Sequence, residues 1–201
     1  MNQLPKYLYR GDADPLNNRK LKETYNSGLL LTNLCNGGNG REIFSNALEN
    51  LINKHIALGW DKTHFLSFSS NEQTAFMYGG NGKENYEVYD NLETWDFTVL
   101  TFNTTLLIPD SIKEIEIGIF KAEFLPTCNE FLPSYKVVII DTLSHLKSIS
   151  KSGTDYTLAI KKAKDDNEWL ILPASPFGYN GEFTAKFDTA CISDKRIYYY
   201  E

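Results

Sequence analysis

Cysteine, histidine and excess basic charge are scarce in this chain, and long apolar runs are missing altogether. The three cysteines, Cys35, Cys128 and Cys191, are odd in number, far apart and form no CxxC pair. Only three histidines are present, His55, His64 and His145, and none lies at ligand spacing. Structural zinc and an HExxH-type hydrolase are therefore excluded, no metal site is expected, and the cysteines read as reduced thiols. Twenty Lys and Arg stand against 26 Asp and Glu, a formal net charge of −6. That balance speaks against a nucleic-acid-coating surface, which needs clustered cations, without forbidding a local basic cleft. No apolar stretch approaches the roughly 20 residues of a membrane span. The opening Met1–Lys6 lacks the apolar centre of a Sec-type signal peptide, so a soluble chain is expected.

What is present suits one globular domain spanning residues 1–201. Hydrophobic residues make up 42% of the 201 and charged residues 23%, enough apolar material for a core. Tyr7-Leu8-Tyr9-Arg10 alternates as a strand does, and Gly11-Asp12 is expected to break it. Asp14-Pro15 reads as the start of a helix through Tyr25, closed by Gly28. A second helix carries Ile43, Phe44, Ala47, Leu48, Leu51, Ile52 and Ile56 at helical spacing and ends by Gly59. Thr63–Ser69 reads as a strand, and Ser70 with Gln73 has the spacing of a capping box for a helix through Ala75, Phe76 and Tyr78.

Further strands are expected at Phe97–Phe102, Ile115–Phe124, Tyr135–Asp141, Glu168–Leu172, Phe183–Ala190 and Ile197–Tyr200. Val137-Val138-Ile139-Ile140 looks like a strand covered on both faces. Asp155–Lys164 fits a helix and an extended segment equally well. Strands and helices mix without βαβ alternation, which favours α+β over a doubly wound sheet. Residues 83–133 are a candidate inserted lobe, or extra packing around the core. The two GGNG segments match no phosphate-binding motif and read as turn chemistry.

Three separated pieces carry chemistry. They are Tyr9-Arg10-Gly11-Asp12 followed by Asn26-Ser27-Gly28-Leu29, then Phe65-Leu66-Ser67-Phe68-Ser69 before a capped helix with Ala75, then Asp165-Asp166-Asn167-Glu168-Trp169-Leu170-Ile171-Leu172-Pro173. In this order they resemble the mono-ADP-ribosyltransferases of the Arg-Ser-Glu class, the group of cholera toxin and the vertebrate ecto-transferases. The resemblance implies a split mixed β-sheet with flanking helices and an NAD cleft. It implies transfer of ADP-ribose from NAD, a co-substrate, to a protein acceptor, with release of nicotinamide. Arg10 would bind NAD, with Gly11 against the nicotinamide amide. Ser67 would position the catalytic Glu168, Ser69 would support the NAD site, and Asp166 would face the acceptor. It further implies a toxin or effector of virulence, cytoplasmic or delivered by a dedicated secretion system, acting on a host-cell protein.

The residue types agree with those roles. Cleaving the N-glycosidic bond of NAD builds an oxocarbenium-like charge on the ribose. A carboxylate held near that ribose stabilises the charge, an arginine fork grips pyrophosphate or ribose, and a short hydroxyl orients the carboxylate. Against this stand plainer roles: Arg10 in a surface ion pair, Ser67 and Ser69 on a sheet's polar side, Glu168 solvated, and Glu182 as a rival carboxylate. His64 reads as packed or solvated. Two positions depart from the family pattern. Phe68 replaces the usual threonine, and Asp166 stands where Gln or Glu is usual. A carboxylate one methylene shorter reaches roughly 1.5 Å less, which leaves the acceptor side chain open. Lys161–Asn167, charged and without long apolar residues, is expected to be an exposed mobile acceptor loop. Two alternatives share the same residues: an NAD glycohydrolase, and a catalytically inactive binding module.

Overall fold

The computed structural model describes residues 3–12, 41–57, 65–80, 86–89, 97–124, 135–150, 155–172 and 192–199. The expected helix at 14–25, Gly28, the first GGNG segment, His64, all three cysteines, Glu182 and the strand at 183–190 lie outside these residues.

The described residues form an α+β fold. Its strands are β1 (Tyr7–Asp12), β2 (Leu66–Ser69), β3 (Tyr86–Tyr89), β4 (Phe97–Asn103), β5 (Lys113–Glu116), β6 (Ile119–Phe124), β7 (Tyr135–Asp141), β8 (Glu168–Leu172) and β9 (Ile192–Tyr199). Its helices are α1 (Arg41–Ala57), α2 (Glu72–Gly79), α3 (Thr142–Ile149) and α4 (Thr157–Asp165). The nine strands lie side by side in the order β3-β9-β4-β1-β2-β8-β7-β6-β5. Among the described residues every pairing is antiparallel, where a mixed sheet was expected. Hairpins join β5 to β6 and β6 to β7, and α3 with α4 returns the chain antiparallel into β8. β3 to β6, from the stretch read as a candidate lobe, are strands of this same sheet.

One seam is much weaker than the others. β1 pairs with β4 along its whole length, from Tyr7↔Asn103 to Asp12↔Thr98. With β2 it pairs only at Tyr9↔Ser69. The ladder opens beyond that point, at Arg10.

Val137 to Ile140 are all fully buried, because successive side chains enter two different cores. Val138 and Ile140 pack with Leu170, with Leu48, Ile52 and Ile56 of α1, with Leu146 of α3, and with Ala159 and Ala163 of α4. Val137 and Ile139 face Ile171, Trp169, Phe120, Phe102, Phe68 and Leu8. α2 covers a smaller patch through Ala75 and Phe76, against Val99 and Tyr9.

Four local expectations are corrected. β1 continues through Gly11 and Asp12, since its pairing with β4 supplies the backbone partners there. The N-cap of α2 is Asn71, whose side chain accepts from the Gln73 N–H at 3.0 Å; Ser70 instead donates its N–H to the Asn167 carbonyl at 3.1 Å. Ile115–Phe124 is a hairpin rather than one strand. Gly118 turns it at φ +76°, and a Cβ there would lie 2.8 Å from the Asp141 carbonyl oxygen.

The fourth concerns Lys161–Asn167. Lys161 to Asp165 form the last turns of α4, so this stretch is not a loop. Ala159 and Ala163, four apart, are fully buried, and the exposed lysines are the outer face of an amphipathic helix. Only Asp166 and Asn167 remain as a turn, with Asn167 at φ +48°.

Candidate active site

β2 lies between β1 and β8, and its register sets the site. Ser67 pairs with Leu170 and Ser69 with Glu168. Alternation puts these four side chains on the sheet face covered by α1. Ser67 and Glu168 are diagonal cross-strand neighbours, within reach of one another. The Ser67 hydroxyl donates to Glu168 Oε1 at 2.9 Å. Arg10 emerges where the β1–β2 ladder opens, and its Nη1 donates to the Ser67 carbonyl at 2.8 Å. Residues 10, 67 and 168 are thus brought together by two hydrogen bonds centred on Ser67. All three are partly exposed.

A fourth residue joins them from α1. His55 is 4% exposed, and its Nε2 lies 2.7 Å from Ser67 Oγ. Phe65 meets the imidazole edge-on, with ring centroids 5.8 Å apart. Burial, and then the Arg10 charge, hold the imidazole down to about pKa 4, so it is neutral at neutral pH. With the single Ser67 hydroxyl proton directed at an ionised Glu168, Nε2 must carry the imidazole proton and donate it to Oγ. The chain His55→Ser67→Glu168 then delivers aligned dipoles to the carboxylate.

Glu168 titrates high, at about 7 against an ordinary 4.5. Burial is the main cause. The hydrogen bond from Ser67 opposes it, the Asp166 charge reinforces it, and Lys162 and Arg10 oppose it. A carboxylate held near neutrality between a hydroxyl and neighbouring charges is typical of functional sites.

Ser69 lies one pleat further along. Its hydroxyl donates to the Asp166 carbonyl at 2.6 Å and accepts from the Asn71 N–H at 3.0 Å. It braces the turn before Glu168 against the start of α2. Gly11 serves packing: a Cβ there would overlap the Ala75 carbonyl and the Gly79 backbone, so only glycine lets α2 lie directly on β1. Asp166 ends α4, and its Oδ2 accepts from the Tyr78 hydroxyl at 2.7 Å.

The sequence-based reading missed His55 and Tyr78. His55 had one signal: it shares a helical stripe with Leu48, Ile52 and Ile56, where a polar side chain needs a partner once buried. Tyr78 had none, because its partner is 88 residues away.

Among the described residues no three His, Cys, Asp or Glu side chains gather as metal ligands would. Nor is any described helix long and apolar enough to cross a membrane. No protein-family model matches the chain, and neither does any curated protein or solved structure.

Proposed function

We propose that this protein is a mono-ADP-ribosyltransferase that moves ADP-ribose from NAD to a protein acceptor and releases nicotinamide. The observation carrying this reading is the convergence of Arg10, Ser67 and Glu168, residues singled out from three separate motifs, at one partly exposed point. The single-pair seam between β1 and β2 supports a split-sheet, ADP-ribosyltransferase-like fold with its NAD cleft at that opening. The reading as a toxin or effector acting on a host protein rests on the family resemblance.

NAD contributes a cationic nicotinamide leaving group on C1′ of a ribose. When the C1′–N bond breaks, its electron pair leaves with nicotinamide and positive charge develops on the ribose. Ionised Glu168, aligned by Ser67, accepts a hydrogen bond from the ribose 2′-hydroxyl and stabilises that charge. The acceptor X–H then forms the C1′–X bond and gives up its proton. Arg10 offers a planar fork for the pyrophosphate or its adjoining ribose, already oriented by the Ser67 carbonyl. His55 keeps the Ser67 hydroxyl turned toward Glu168 by filling its acceptor side. The nicotinamide cation also favours ionisation of Glu168, whose free value near 7 leaves it part-protonated at neutral pH.

Incubating the purified protein with labelled NAD and a eukaryotic lysate tests this. Labelled protein bands together with free nicotinamide support the transferase. Nicotinamide without bands supports a glycohydrolase, in which water takes the acceptor's place. Neither product, with no thermal shift on adding NAD, supports an inactive binding module.

A further inference from the structure

The turn before Glu168 is clamped, and one clamp is an exposed phenol. Asp166 donates its N–H to the Lys162 carbonyl at 2.9 Å, ending α4. Its carbonyl accepts from Ser69, and Ser70 donates to the next carbonyl, that of Asn167. These bonds fix the backbone to the β2–α2 junction. The side chain is fixed separately, by the 2.7 Å bond from Tyr78 at the end of α2. Tyr78 is 61% exposed, so it stands at the surface beside the site and not in a core. It is coupled to Glu168: Tyr78 feels the Glu168 charge, and Glu168 feels that of Asp166.

We infer that Tyr78 is a positioning residue that acts through Asp166 to direct ADP-ribose to a macromolecular acceptor instead of to water. This rests on the transferase reading above. A short carboxylate on a turn has two freely rotating oxygens and aims at nothing in particular. Holding Oδ2 with the phenol presents Oδ1 in one direction, beside the carboxylate that stabilises the ribose cation. There it accepts a hydrogen bond from the acceptor's X–H. When X attacks the ribose cation it supplies the electron pair of the new C1′–X bond and its proton passes to Asp166, the C1′–N pair having already left with nicotinamide. The rigid Tyr78 support offsets the reach that Asp166 lacks against a longer side chain. Burial and the neighbouring carboxylates raise the Tyr78 hydroxyl well above its ordinary 10, so it stays a donor throughout the working pH range.

The test compares wild type, Tyr78→Phe, Asp166→Asn and the double variant, using labelled NAD and eukaryotic lysate. The quantity read is the ratio of labelled protein to nicotinamide released. Tyr78→Phe lowers that ratio at least about tenfold. The double variant falls no further than Asp166→Asn alone, because Tyr78 acts only through that carboxylate. Thermal melts of the variants are expected to match wild type, because the Tyr78–Asp166 bond is exposed. A ratio unchanged in Tyr78→Phe, or additive losses in the double variant, would overturn the inference while leaving NAD cleavage intact. Wild type that releases nicotinamide but labels no protein would overturn it together with the transferase reading, in favour of the glycohydrolase. Wild type that releases no nicotinamide would remove the underlying transferase reading and this inference with it.

Discussion

The Ser67 hydroxyl donates a 2.9 Å hydrogen bond to Glu168 Oε1, from β2 to β8 and across 101 residues of chain. This bond stabilises the ionised carboxylate against the burial that pushes it toward neutrality. The site's charge state therefore depends on a hydroxyl that itself carries no charge.

Removing that hydroxyl should move a pH profile. In wild type, kcat/KM for NAD cleavage is expected to fall about tenfold per pH unit below about 7, as Glu168 takes up its proton. Ser67→Ala deletes the bond to the charged form, so the acid limb shifts to higher pH and the plateau drops by about tenfold or more. A lower plateau with an unmoved limb would detach Ser67 from Glu168.

Arg10 contributes both a charge and a fork, and two substitutions separate them. Arg10→Lys keeps the charge and loses the planar fork, so the KM for NAD rises at least about tenfold while the limb stays near its place. Arg10→Gln loses both. The limb then moves to higher pH as well, because the Arg10 charge lowers the Glu168 value. Steady-state kinetics across pH with both variants decides this.

Stability offers a test independent of any substrate. Glu168 titrates near 7 when folded and near 4.5 when unfolded. The native state therefore holds an extra proton between those values. The stability this provides is full below 4.5 and lost as pH rises through 7, a difference of about 3 kcal/mol. His55 behaves oppositely, at about 4 folded against 6.5 unfolded. Its contribution is full above 6.5 and lost as pH falls through 4. Between 4.5 and 6.5 the two nearly cancel. Glu168→Gln should thus stabilise the protein at pH 8, give little at pH 4.5, and unmask an acid-side loss due to His55. Urea unfolding from pH 4 to 8 reads this directly, and a Glu168→Gln curve parallel to wild type would contradict it.

Gly11→Ala should cost about 3 kcal/mol or more, since the added methyl would meet the backbone of α2 and not a movable side chain. Thermal unfolding measures this, and an unchanged midpoint would mean that α2 is not seated on β1 as described.

Much of this was legible in the chain, and for physical reasons. The uninterrupted, β-branched Val137–Ile140 run reads as a strand covered on both faces, and it is one. Arg10, Ser67 and Glu168 could be chosen only because the three pieces that carry them, taken in order, resemble one family's motifs. What failed depended on partners distant in sequence. The α4 segment was ambiguous because its buried face consists of two alanines, small enough to vanish among lysines. The Ile117-Gly118 turn was hidden by apolar alternation on both sides of a single glycine. The antiparallel pairing of β7 with β8 follows from where α3 and α4 return the chain, which no local pattern encodes. Tyr78 and His55 gained meaning only once the end of α2 met the turn after α4, and α1 met β2.

The central claim is that Glu168 stabilises a ribose cation formed from NAD. The direct measurement is nicotinamide release from NAD at pH 8, wild type beside Glu168→Gln, with unfolding confirming that both are native. The account predicts release by wild type and a loss of at least about 10²-fold in the nearly isosteric variant, which lacks the charge. Equal rates in the two proteins, or no release by either, would contradict it.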